Sequence, residues 1–522
     1  SYLCTGGEKP LLGMTIGQII DRASDMFGDR EALVSMHQSL RKTFTDLQKD
    51  STEVASGFLS LGLSPGDRLG IWSPNNYEWV VTQFAAAKAG LVLVNINPAY
   101  RASELEYCLN KVSVKGIVCA DSFKTSNYYN MLCEVVPDLP SSEWGQLSSP
   151  RLPELSTVIM IGEKQLPGTV PFNAVSSLGT PETKEKVRQL SNKIQFDYPC
   201  NIQFTSGTTG HPKAAVLSHH NMVNNANFVG NRLRYHEKEH RICLPLPLYH
   251  CFGGVAGVLC GTLYGAACVL PSSVYSSDSV IKAILQENVT SCYGTPTIFV
   301  DLLAGIRRMG VKVPTTLRTG IMSGAPCPPA LVKDTITELN MKDFIVMYGM
   351  TETSPVTFQC FPDDPPQLRT TTIGFPLPHT EVKITDKDGL ITSVGVEGEL
   401  CVRGYCVFLG YWEDEKKTKE CLDNDGWFRT GDLATIDEHG YGCIRGRMKD
   451  VVIRGGENIY PAELENLFMM HPRVKEAQVF GVPDTRMGEE VAVWLRLDDD
   501  PTSSSPKEEL TEESFRAWCS GK

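Results

Sequence analysis

No two cysteines are spaced C-x-x-C, although the chain holds 17 of them. An odd, scattered set argues against a disulfide framework or a zinc site and for a reducing compartment. Most of these thiols suit buried positions as small hydrophobes. Nor is there a basic excess, because the net charge is −12. Phosphate-backbone recognition wants the opposite sign, so nucleic acid is not the expected partner, while a local basic pocket for a nucleotide stays open. From Ile242 to Ser277 there is no Asp, Glu, Lys or Arg. Within it, Gly253–Leu270 is apolar enough to raise the question of a membrane span. It is also Gly-rich and bounded by Pro245, Pro247 and Pro271, which reads as a buried helix followed by a strand, with no transmembrane span expected. The chain opens on Ser1-Tyr2-Leu3, without Met or a basic stretch ahead of an apolar run, so any targeting peptide is expected to lie outside this sequence. Internal repeats, heptad runs and a Walker A loop are absent, and no Ser–His–Asp or Cys–His arrangement stands out.

What is present is a 522-residue chain with 42% apolar residues. That composition suits a globular protein, and the length suits two to four packed units. Thr15-x-x-Gln18 is a capping box ahead of a helix that Gly28 stops, and Thr45-x-x-Gln48 is the expected start of a second helix ending near Gly62. Strand-like runs at Arg68–Ser73, Leu91–Ile96 and Gly116–Ala120 alternate with helical ones such as Tyr77–Ala89. This is the α/β pattern, with buried parallel strands. After an irregular stretch, Lys124–Asp197, a second alternating unit brings strands at Asn201–Ser206, Arg241–Leu246, Ala266–Leu270, Ser291–Gly294, Thr319–Ser323 and Phe344–Tyr348. From Thr370 short strands and turns predict a β-rich subdomain. After Arg447 an α+β tail follows: strand Val451–Arg454, helix Pro461–Met470, two further strands, a loop over Asp498–Pro506 and a short last helix. The expected domains are therefore 1–448, comprising α/β subdomains 1–200 and 201–369 and a β-rich subdomain 370–448, and a small α+β domain over 449–522.

The strongest local signal is Thr205-Ser206-Gly207-Thr208-Thr209-Gly210-His211-Pro212-Lys213, directly after a strand. Hydroxyls and glycines let backbone and side-chain donors close around an anion, and Lys213 adds a point charge for phosphate. Standing alone, the segment would serve as well for a flexible turn. Further blocks are Tyr348-Gly349-Met350-Thr351-Glu352-Thr353, Thr430-Gly431-Asp432-Leu433, Gly446-Arg447-Met448-Lys449-Asp450 and Gly455-Gly456-Glu457-Asn458.

These five blocks, in this order, resemble the motifs of the adenylate-forming superfamily: acyl-CoA synthetases, peptide-synthetase adenylation domains and luciferases. The resemblance runs from about Phe44 to the end. Asn97–Tyr100, Gly404–Val407 and Arg454–Glu465 are most similar to mitochondrial acyl-CoA synthetases of the medium-chain type, which implies a mitochondrial location, with the cytoplasm as the alternative. The implied large domain is α/β with a β-rich subdomain, followed by a small α+β C-terminal lid. The implied activity is ATP-dependent conversion of a fatty acid to acyl-adenylate and then to acyl-CoA, with small molecules as the partners and the oligomeric state open.

The resemblance also implies roles for single residues. The segment Thr205–Lys213 would hold the phosphates of ATP, Tyr348 and Gly349 with Gly324, Ala325 and Pro326 would flank adenine, and Thr351 would bond the α-phosphate. Glu352 would hold Mg²⁺, Asp432 the ribose hydroxyls, and Arg447 ribose or phosphate. Lys449 would be the hinge of the lid, and Gly455 and Gly456 would line the pantetheine tunnel for coenzyme A. Taken alone, Gly455-Gly456 is equally an ordinary turn. On the acyl side the implied residues are His250, Phe252, Gly253, Tyr293, Gly294 and Thr295, with His250 equally readable as a satisfied structural histidine. The sequence departs from the family pattern in two places. Ala214 stands where a glycine usually follows the lysine. The late lid lysine in its Pro-x-Thr-x-x-Gly-Lys context has no counterpart, since Gly521-Lys522 lacks that context. On that ground the lid is expected to be incomplete. The competing readings are then a nucleotide- or acyl-binding form without turnover, or an adenylation enzyme for another carboxylate or for a carrier protein.

Overall fold

The computed structural model describes residues 1–162, 164–205, 211–455, 457–497 and 510–520. Ser206, Gly207, Thr208, Thr209, Gly210 and Gly456, the expected loop Asp498–Pro506 and the terminal Gly521-Lys522 therefore lie outside the described residues. The chain divides into two compact units, a larger one of Cys4–Glu381 with Val402–Phe428 and a smaller one of Ser1–Leu3, Val382–Cys401 and Arg429–Lys522.

Two large sheets form the larger unit. The eight-stranded one runs in the order Val170–Pro171, Thr157–Ile161, Val114–Ala120, Arg68–Trp72, Val92–Asn95, Pro199–Thr205, Lys213–Ser218 and Gly410–Tyr411. It is parallel up to Pro199–Thr205, and its last two strands are antiparallel. The nine-stranded sheet has the parallel core Asp343–Gly349, Thr319–Met322, Ser291–Gly294, Arg241–Cys243, Ala267–Leu270 and Glu31–Ser35, closed at both edges by antiparallel strands. Helices cover these strands, so the strands read as unbroken apolar runs. Trp72, Trp79, Phe84, Phe299, Phe344 and Phe358 are among the fully buried side chains.

Local chemistry explains the helix starts. Thr15 accepts from Gln18 N while Gln18 reaches back, which makes the expected capping box of Ile16–Phe27. The second start is a correction to the sequence reading. Helix Phe44–Ser60 is capped by Thr43 with Asp46, not by Thr45 with Gln48. Both spacings satisfy the capping pattern. Asp46 bonds the Thr43 N–H, whereas Gln48 is drawn away by a hydrogen bond to Asp21. The uncharged stretch becomes a π-helix, Phe252–Leu259, then helix Cys260–Tyr264 and strand Ala267–Leu270. Its glycines are a packing requirement, since a Cβ on Gly253 would stand 2.4 Å from the Pro247 carbonyl oxygen. Among the described residues no helix is long and apolar enough to cross a membrane.

The smaller unit carries a five-stranded sheet in the order Tyr2–Cys4, Thr380–Thr385, Gly398–Gly404, Phe428–Ile436 and Gly442–Arg447. Its second sheet has four strands, Glu457–Ile459, Val452–Arg454, Gly488–Leu497 and Val474–Asp484. Helices Pro461–Phe468 and Glu512–Cys519 pack on it through Phe468, Val474, Val479 and Phe515.

Candidate active site

In the larger unit, Pro199–Thr205 and Lys213–Ser218 are adjacent antiparallel strands, and Thr205 stands opposite Lys213. The Ser/Thr/Gly segment is thus the connection of a hairpin whose two ends are fixed by sheet hydrogen bonds. Past the connection, the His211 ring stacks on Tyr107 at 4.4 Å, and the Tyr107 hydroxyl donates to the Pro212 carbonyl at 3.2 Å. These two contacts tie down the C-terminal side of the connection.

Glu352 comes to this hairpin from far along the chain. It sits in the short turn Thr351–Thr353 that follows strand Asp343–Gly349, and it is 9% exposed. Its Oε1 accepts from the Tyr411 hydroxyl at 2.8 Å and from the Thr205 hydroxyl at 3.5 Å. The Lys213 ammonium lies 4.8 Å from the centre of the Tyr411 ring. Burial first, then the Glu352 charge, pushes the Tyr411 pKa far up, so Tyr411 stays a phenol and remains a donor. No sequence motif points to Tyr411. Its strand, Gly410–Tyr411, is two residues long, and only pairing with Lys213–Ser218 shows where it goes.

The turn holding Glu352 depends on Gly349. A Cβ there would stand 1.8 Å from the Pro355 carbonyl oxygen. Tyr348 is half-buried and meets Phe358 edge-on at 6.2 Å. Gly324, Ala325 and Pro326 are exposed, just past the end of strand Thr319–Met322, and Ser323 anchors them by donating to the Met347 carbonyl at 2.8 Å. Gly294 and Thr295 occupy the same end of the next parallel strand, and a Cβ on Gly324 would lie 3.4 Å from Thr295. These residues gather at the carboxyl ends of neighbouring parallel strands, where open α/β sheets bind ligands.

The acyl-side candidates fall into two groups. Cys251 N–H donates to Gln203 at 3.1 Å, and its thiol lies 3.7 Å from the Thr351 hydroxyl, which places the start of the π-helix beside the hairpin. Phe252 faces the Tyr293 ring at 6.0 Å. Tyr293 is fully buried, and its hydroxyl donates to Tyr235 at 2.9 Å, so that group is committed to the core. His250 opens to solvent but is otherwise closely surrounded, and this desolvation lowers its pKa, leaving it neutral near pH 7.

In the smaller unit, Asp432 and Arg447 are cross-strand partners, with Arg447 Nε 3.3 Å from Asp432 Oδ1. Asp432 is 5% exposed, whereas the Arg447 side chain reaches solvent at 57%. The preceding turn is braced by Thr430, which donates to the Leu400 carbonyl, and by Glu399, which accepts from Gly431 N–H and Arg429. Lys449 is exposed in the turn Met448–Asp450. Gly455 has φ +60° and donates to the Met487 carbonyl at 2.8 Å.

Comparison with known proteins gives the family. The family model for the AMP-binding enzyme matches residues 20–412, and that for the AMP-binding enzyme C-terminal domain matches 463–522. The chain is 46% identical to the medium-chain acyl-CoA ligase ACSF2, mitochondrial, of Homo sapiens, over 100% of this chain and 84% of that one. It is 40% identical to the putative acyl-CoA synthetase YngI of Bacillus subtilis, over 98% and 92% of the two chains. Among solved structures, ATP-bound MatB from Rhodopseudomonas palustris superposes with a TM-score of 0.79 at 25% identity, covering 96% of this chain and 91% of that one. The anthranilate CoA ligase AuaEII with anthranoyl-AMP gives a TM-score of 0.80 at 23% identity, covering 98% and 90%, a likeness of fold. By the extent of the family match and the identity to these relatives, the chain belongs to the AMP-binding enzyme family.

Proposed function

We propose that this chain is an AMP-forming acid–thiol ligase that converts a fatty acid, of medium chain length, to its CoA thioester at the expense of ATP. The observation that carries the reading is the meeting of Thr205, Lys213, Tyr411 and Glu352 at one end of the phosphate-loop hairpin. The names of the curated relatives support the substrate class and a mitochondrial location.

A carboxylate oxygen of the acid attacks the α-phosphorus of ATP. The new P–O bond replaces the bond to pyrophosphate, which leaves. The thiolate of coenzyme A then attacks the acyl carbonyl. A C–S bond forms, the C–O bond to phosphate breaks, and AMP leaves. No covalent enzyme intermediate is required, so positioning and charge do the catalytic work. The connection Thr205–Gly210 with His211, Pro212 and Lys213 cradles the phosphates, and Thr351 donates to the α-phosphate. Asp432 accepts from the ribose hydroxyls, with Arg447 holding that carboxylate. Tyr348 and Gly349 with Gly324–Pro326 border adenine. His250, Phe252, Gly253 and Tyr293–Thr295 border the acid, and Gly455 with Gly456 the pantetheine arm. Residues 449–522 act as a lid with Lys449 as its pivot.

Glu352 fits the needs of Mg²⁺. It is a single buried carboxylate within reach of the hairpin, and Mg²⁺ takes few protein ligands and completes its shell with water and phosphate. When bound, Mg²⁺ supplies charge neutralisation to the departing pyrophosphate. Tyr411 fixes which way the Glu352 carboxylate turns.

The experiment is pyrophosphate exchange and thioester formation with straight-chain acids of graded length. Exchange and thioester that both depend on the acid, with a maximum at medium length, are expected. Exchange without any acyl-CoA product would overturn the ligase reading.

A further inference from the structure

The larger unit holds a cavity of about 420 Å³ that no step above uses. Topology sets it apart from the phosphate-loop end of the sheet. Pro199, which lines it, opens the strand that ends at Thr205, and Val92, another wall, opens the neighbouring parallel strand. At the rise of an extended strand the two ends are roughly 20 Å apart. The volume falls within the roughly 300–1,000 Å³ usual for small-molecule pockets.

The walls are apolar where Val92, Leu190, Ile194 and Trp412 form them. The polar side chains among the walls are those of His219, Trp412, Tyr198 and Lys193. His219 is 2% exposed and lines the cavity. Its Nδ1 accepts the Ile16 N–H at 3.1 Å, so in the neutral ring the proton sits on Nε2. Burial lowers the His219 pKa to about 3, so the ring is neutral at physiological pH. Among the described residues Nε2 has no partner, and with Nδ1 turned toward Ile16 this edge is the one left for the cavity. The buried indole N–H of Trp412 has no acceptor among the described residues either. Buried donors without acceptors are rare, so the Trp412 N–H, on a residue that lines the cavity, is a feature to explain. Lys193 is exposed and also lines the cavity, and no Asp or Glu is among the lining residues.

We infer that this cavity is a second small-molecule site, separate from the nucleotide site, for an amphipathic carboxylate whose apolar body lies on Val92, Leu190, Ile194 and Trp412 and whose carboxylate accepts from His219 Nε2–H, with Lys193 as counter-charge. A wholly apolar molecule would leave the His219 N–H unpaired, and an amine would meet a like charge at Lys193. The inference stands whether or not the proposed activity does, because it rests on the cavity alone.

The test uses decanoate carrying a diazirine on its chain, photolysed with the full chain, and the attachment sites mapped by mass spectrometry. Attachment within residues 190–199 or at Trp412 is expected. Labelling at Phe252 or Tyr293 reports the proposed catalytic site and is scored apart. Decanoate should displace the cavity label at least about tenfold better than decanol, the difference a charged partner makes. Ile194→Trp, which fills the cavity from a half-buried position, should abolish that label while leaving labelling elsewhere intact. Lys193→Glu, at an exposed position, should weaken it several-fold. No attachment in these segments, or label that persists in a folded Ile194→Trp variant, would overturn the site. Equal displacement by decanol would overturn the carboxylate assignment.

Discussion

The large sheets of the larger unit and the four-stranded sheet of the smaller one bury their strands to very different depths. Val92–Asn95, Ser291–Gly294 and Thr319–Met322 are buried at every residue. Gly488–Leu497 has no fully buried residue, and among the described residues the core beside it comes down to Phe468, Val474, Val479 and Phe515. Phe480 and Trp494 on that sheet remain 45% and 54% exposed. Helices cover the first set of strands, while the second sheet leaves part of its apolar surface to solvent. Groups at the ends of strands buried at every residue are held in place before any ligand arrives. A thinly packed sheet opens at lower free energy. On the proposed function the phosphate-loop hairpin, Glu352 and the adenine border would thus belong to the stiffly packed unit, and Lys449 and Gly455 to the unit that holds the thinly packed sheet.

The largest expected effect tests the depth of packing directly. Phe358→Ala, at a fully buried position, should cost about 3–5 kcal/mol of stability in denaturant unfolding. Phe515→Ala, in the four-residue cluster, should cost clearly less and should raise hydrogen exchange only in the smaller unit. Equal losses spread over both units would end the comparison. Next is the chemistry of the stiff unit. Glu352→Gln should lower pyrophosphate exchange about 10²–10³-fold with the melting temperature preserved. An unchanged exchange rate would take Glu352 out of the site.

Asp432→Ala, in the smaller unit, should weaken ATP binding in calorimetry by roughly 1.5–3 kcal/mol, because a charged acceptor is lost. Its effect on the rate at saturating ATP should be slight, in contrast to Glu352→Gln. Tyr411→Phe removes the donor to Glu352 and should slow exchange by about tenfold, seen as a raised Mg²⁺ requirement. The smallest effect concerns acid. His219 and His240 in the larger unit are buried, and their pKa values are lowered to about 3 and about 4. Between the ordinary value of 6.5 and these values the unfolded chain binds more protons than the folded one. Stability therefore falls as pH drops through that window. In the smaller unit His439 and His471 are not buried. Mild acid should thus raise hydrogen exchange first in the larger unit, around His219, and His219→Gln should flatten that dependence.

Much of this was legible beforehand. Alternation of helical and strand-like runs gave the α/β class, and helix Tyr77–Ala89 was readable to its ends because Asn76 caps it and Gly90 closes it in the left-handed region. The start of helix Phe44–Ser60 was misread because two overlapping Thr-x-x patterns satisfy the same local rule. Only the Gln48–Asp21 hydrogen bond, between different helices, separates them. The motif blocks named Thr205, Lys213, Glu352, Asp432 and Arg447 without any coordinates. Tyr411 carried no such signal, since neither its two-residue strand nor its neighbours follow a periodic pattern.

The sequence by itself determined the alternation of elements, the glycines that close packing at Gly349 and Gly253 requires, and the order of the five motif blocks. These depend on neighbours within a few residues, or on local backbone geometry, and the chain carries both in its letters. Tertiary structure alone decided that Thr205 and Tyr411 share one oxygen of Glu352, from positions 147 and 59 residues away in the chain. It alone decided that His219, whose Nδ1 accepts from Ile16, lines one cavity with Val92, Leu190 and Trp412. Parallel sheets join strands through long crossovers, so groups that meet at a strand end are remote in sequence, and no local pattern records which of them will meet.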